Sequence, residues 1–84
     1  MFKDDAALAL NALGWILAEP DRAQRFLDLT GLTPDGLRTQ LNDPATHRGV
    51  FAFLAAYEPD LVACAASLDV PPESLARAGA EAPQ

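Results

Sequence analysis

Thr30-Gly31-Leu32-Thr33-Pro34-Asp35-Gly36-Leu37 reads as a corner between two helices. Gly31 follows an apolar run at helical spacing, where the residue just past a helix end must take positive φ, and glycine does so without a Cβ clash. Thr33 offers a hydroxyl as N-cap, Pro34 has the φ wanted at the first helical position, and Asp35 places negative charge at the positive end of the next dipole. Leu32, the apolar residue inside the turn, is expected to pin both helices to the core.

The device recurs along the chain. Glu19-Pro20-Asp21 has a counterpart in Glu58-Pro59-Asp60, and Gly31 to Leu37 has one in Asp69-Val70-Pro71-Pro72-Glu73-Ser74-Leu75. Either the chain is two similar three-helix halves, or proline-acidic helix starts have simply recurred. Between these breaks the composition favours helix. Half of the 84 residues are hydrophobic, and most of those are alanine and leucine rather than β-branched.

Taken in order, Asp4 and Asp5 open a first helix that stays apolar from Ala6 to Ala18, interrupted by Asn11 and Gly14. A helix apolar on more than one face is expected at the centre. A second runs from Pro20 to about Thr30, with Ala23, Phe26 and Leu29 inward and Arg22, Arg25 and Asp28 on a solvated face. A third spans Pro34 to about Leu41. A fourth begins at Asp43-Pro44 and carries Val50, Phe51, Phe53, Leu54 and Tyr57 up to a break at Pro59. A fifth reaches Leu68, and a short sixth covers Pro72 to about Ala78. Connections of two to four residues make consecutive helices neighbours. The expected fold is all-α: one domain over residues 1–78, a compact bundle of five helices plus a short C-terminal sixth, with 79–84 a frayed tail.

Composition narrows the function. Twelve acidic residues against six basic ones leave a net charge of −6, and Lys3, Arg22, Arg25, Arg38, Arg48 and Arg77 are scattered. Such a chain is repelled by phosphate backbones. The lone Cys64 excludes an internal disulfide and fits a reducing compartment. The opening Met-Phe-Lys-Asp-Asp has no signal-peptide pattern, and no apolar run is long enough to span a membrane, so a cytoplasmic location is expected.

Chemistry is hard to find. Cys64 falls mid-helix on an apolar face, where a thiol acts as a small hydrophobe, and His47 beside Arg48 is expected to face solvent. One histidine and one cysteine cannot close a zinc shell. The carboxylates are used as helix starts, and no glycine-rich phosphate loop is present. No catalytic residue, cofactor or metal is assigned. Leu29 to Arg38, and likewise Leu68 to Arg77, look like the middle of a DNA-binding helix-turn-helix, with Arg38 as the one base such a reader would offer; acids beside it oppose that role. Trp15, Phe51 and Tyr57 either line a partner surface or belong to the core.

The tract from Trp15 through Glu19-Pro20, Phe26-Leu27, Leu29-Thr30-Gly31-Leu32, Pro34, Leu37-Arg38, Asp43-Pro44 and Phe53-Leu54 to Val70-Pro71-Pro72-Glu73 resembles a family of small uncharacterised helical proteins from alphaproteobacteria, classed as a domain of unknown function. The resemblance implies a bacterial cytosolic origin and no assigned activity. The expected role is a non-enzymatic interaction module binding a protein partner or forming a homodimer, with a DNA-binding corner at 29–38 as the alternative.

Overall fold

The second helix of the computed structural model, which describes residues 5–81, stops where Gly31 takes φ 76° and donates its N–H to the Leu27 carbonyl at 2.8 Å. Thr33 is extended, its Oγ1 accepts from the Gly36 N–H at 3.0 Å, and the next helix starts at Pro34. The same logic cuts the chain elsewhere. Asp43 Oδ1 accepts from the Ala45 N–H at 2.9 Å ahead of Pro44. The result is six helices: α1 (Asp5–Leu17), α2 (Pro20–Thr30), α3 (Pro34–Thr39), α4 (Pro44–Ala55), α5 (Glu58–Leu68) and α6 (Pro72–Glu81), with no strand among the described residues.

Boundaries differ from expectation in three places. α3 ends at Thr39 rather than near Leu41, because the Gln40 N–H bonds both the Gly36 and Leu37 carbonyls and tightens the turn. α4 ends at Ala55 rather than running to Pro59; Tyr57 is extended, and Pro59 sits in the first turn of α5, which starts at Glu58, instead of breaking α4. The two helices meet with a bend of 114°. α6 continues to Glu81, past the expected end near Ala78. Asp4 and the last three residues of the expected tail lie outside the described residues.

The helices bury one apolar cluster. α4 packs against α1, α2, α5 and α6, and supplies Val50, Phe51, Phe53 and Leu54. α1 packs against α2, α4 and α5, supplying Leu8, Leu13 and Ile16. It is not enclosed on all sides, though: Leu10 and Leu17 are exposed, and α4 holds the centre instead. Phe26 of α2 meets Phe53 edge to face, ring centroids 5.4 Å apart. Where α2 crosses α4, a Cβ on Gly49 would sit 3.5 Å from Thr30 Cγ2, an ordinary van der Waals distance, so the crossing does not require glycine there. The radius of gyration, 11.6 Å, is close to the ~12 Å of a compact chain of this length.

The recurring corners are alike locally and unlike in packing. Asp69, at the position corresponding to Gly31, is also left-handed, with φ 59°. Its N–H and that of Val70 bond the Ala66 and Ala65 carbonyls at 3.2 and 3.0 Å, a Schellman closure with Val70 against the core. The helices after the two corners differ. The ten-residue α6 lies on both α4 and α5 and buries Leu75 and Ala78, whereas the six-residue α3 adds Leu37 alone to the core. Both corners end a helix on a left-handed residue followed by a proline start, but their hydrogen-bond closures and the packing beyond them differ.

Candidate functional site

Of the two α2 arginines expected on a solvated face, Arg25 is exposed and Arg22 is half-buried, and both make contacts beyond their own helix. Arg22 reaches back to the end of α1, where Nε donates to the Ile16 carbonyl at 3.3 Å and Nη2 donates to the Trp15 carbonyl. Both carbonyls lie in the last turn of α1, that of Trp15 also accepting from the Ala18 N–H at 3.3 Å, and a cation is favoured at that end of the dipole. The same guanidinium lies 3.6 Å from the Trp15 ring centroid and 3.7 Å from Glu19. Asp28 of the same helix instead accepts from Gln24 Nε2 at 2.9 Å.

Arg25 joins two elements. Its Nη2 pairs with the Asp60 carboxylate of α5, and its guanidinium stands 5.0 Å from the Phe53 ring centroid and 5.8 Å from that of Tyr57. Tyr57 is 53% exposed, held at the extended position ahead of α5. Leu29, one turn beyond Arg25 on α2, is 69% exposed, not inward as its spacing suggested. Arg25, Asp60, Leu29 and Tyr57 thus define an edge between α2 and α5. The pair crosses 35 positions of sequence, so no local signal announces it.

Of the three aromatic residues considered as a partner surface, the structure leaves one. Phe51 is 2% exposed and belongs to the core. Trp15 is half-buried under Arg22. Tyr57 alone is open. Arg38 is exposed and paired with Asp35, one turn before it on α3.

The groups with reactive chemistry are occupied or suppressed. Cys64 is wholly buried, and desolvation pushes its thiol up from 9.0 to about 11, partly opposed by Arg22 and reinforced by Asp60. His47 is half-buried rather than solvent-facing, with Nε2 2.7 Å from the Leu41 carbonyl, a contact in which the ring N–H donates. No group of three His, Cys, Asp or Glu among the described residues is placed to hold a metal ion. No single helix among them is long and apolar enough to cross a membrane.

The described residues form a small all-helical protein with an edge of apolar and charged side chains between α2 and α5. The chain belongs to the family described as "Protein of unknown function (DUF3572)", whose model matches residues 3–83. No curated protein and no solved structure matches it.

Proposed function

We propose that this protein is a non-enzymatic protein-interaction module acting in the cytosol, with the α2–α5 edge as its contact face. One observation carries this: Leu29 and Tyr57, the two most exposed large apolar side chains among the described residues, flank a single clasp, Arg25 with Asp60. Apolar side chains presented on a fixed frame lose little freedom when covered, which favours binding. Aromatic and arginine side chains are also the usual anchors of protein interfaces.

Nucleic acid suits this surface less well. At the 29–38 corner Arg38 has its charge matched by Asp35, and the chain carries net charge −6. The deciding experiment is cross-linking of the tagged protein in its host, comparing the wild type with a Leu29→Ser/Tyr57→Ser variant. A protein cross-link that disappears in the variant supports the assignment. An unchanged cross-link pattern places the contact elsewhere.

A further inference from the structure

Resting on the assignment of the α2–α5 edge as the contact face, we infer that its occupant is a basic amphipathic helix of another protein. Charge is the reason. Asp21 lies one turn before Arg25, Asp28 is next to Leu29, and Glu58 is next to Tyr57; all three are exposed, and none is ion-paired among the described residues. Arg25 does not offset them, because Asp60 already neutralises it. The edge therefore presents two apolar anchors together with three exposed carboxylates that no ion pair engages among the described residues.

Three other occupants fit worse. A second copy meeting this face about a two-fold axis would bring the same carboxylates against themselves. An anionic membrane or a phosphate backbone meets the same repulsion. An added strand has no sheet edge to extend, since the described residues contain no strand. A helix with apolar residues on one stripe and lysine or arginine beside it supplies both missing halves, apolar cover and cations.

The test uses the full-length protein and a labelled synthetic helix of leucine and lysine, leucines spaced i, i+3, i+4 and i+7, followed by fluorescence anisotropy. A matched peptide with every lysine replaced by glutamate is the control. The lysine peptide is expected to bind and the glutamate peptide not to. Affinity should fall by about tenfold or more between ~50 mM and ~300 mM salt, as screening shortens the reach of the carboxylates. Leu29→Ser/Tyr57→Ser should weaken binding about tenfold or more, and Asp28→Asn/Glu58→Gln by about threefold to tenfold. Asp69→Asn/Glu73→Gln, on a different corner, should leave it unchanged. Both residues of the first pair are exposed, so circular dichroism should show an unaltered fold, and the Asn/Gln pair supplies a second reading.

Equal binding of both peptides, or equal loss on changing Asp69 and Glu73, overturns the inference. So does self-association in sedimentation that depends on Leu29 and Tyr57, because a second copy would then be the occupant. If the cellular cross-link requires Leu29 and Tyr57 while the lysine peptide fails to bind, the contact face stands and the basic helix is wrong.

Discussion

Arg25 and Asp60, 35 residues apart, tie α2 to α5 through an ion pair whose guanidinium also covers the Phe53 ring. Asp60 is mostly buried at its side chain and Arg25 about half exposed, so the pair is neither a free surface contact nor a dry one. Exposed pairs contribute up to about 1 kcal/mol, and a cation over an aromatic face about 0.5–1 kcal/mol more. Arg25→Ala should therefore cost about 1–2 kcal/mol in urea unfolding, and Arg25→Lys less. A double-mutant cycle with Asp60→Ala separates the pair from the ring contact. A coupling indistinguishable from zero would show that the clasp does not hold the edge.

Phe26 is the contribution of α2 to the centre, wholly buried and edge-on to Phe53. Phe26→Ala leaves a cavity and should destabilise by about 3–5 kcal/mol. For a domain this small that is a large share of the roughly 5–10 kcal/mol available. Chemical denaturation should show a greatly lowered midpoint or no folded baseline.

The two left-handed corners predict opposite effects. Gly31 at φ 76° has space for a side chain but not the conformation, so Gly31→Ala should cost about 1–2 kcal/mol. Asp69 at φ 59° already bears that strain. Asp69→Gly should gain about 0.5–1 kcal/mol, the relief exceeding glycine's extra entropy in the unfolded chain. Thermal melts of the two variants should move in opposite directions.

Gly14 sits inside α1 with nothing within 4 Å of where a Cβ would be. No packing inside the protein requires it, and helix propensity disfavours it. Gly14→Ala should raise stability by about 0.5–1 kcal/mol. A melting temperature that falls would mean the glycine serves a contact outside the described chain.

Cys64 tests the burial directly. With the folded thiol raised to about 11, the native protein should react slowly with iodoacetamide at pH 8 and rapidly once unfolded in urea. The unfolded thiol ionises near 9.0 while the folded one keeps its proton, so the folded state binds more protons in between. The contribution of Cys64 to stability is full below pH 9 and is lost as pH climbs through about 11, an effect that Cys64→Ala should remove.

Much of the architecture was legible locally. Thr33-Pro34 and Asp43-Pro44 mark helix starts because cap and proline geometry act within a few residues, and Gly31 marks a stop because its φ does. Near Tyr57 the local signal misled: Pro59 serves as a first-turn residue of α5, so the break lies before it. Leu29 misled differently. Its spacing from Phe26 suits an inward face, but no neighbouring helix covers it sufficiently.

By themselves, the residues determined that the chain is helical, where most of its rods begin and end, and that it carries a net charge of −6. Those properties depend on backbone torsions, caps and charge, which each segment carries alone. Only the tertiary structure decided that α4 rather than α1 is central, that Phe51 is interior while Tyr57 is open, and that Arg25 meets Asp60. Each of these depends on which rods lie side by side, and that is settled by the packing of whole faces against one another, not by any short run of sequence.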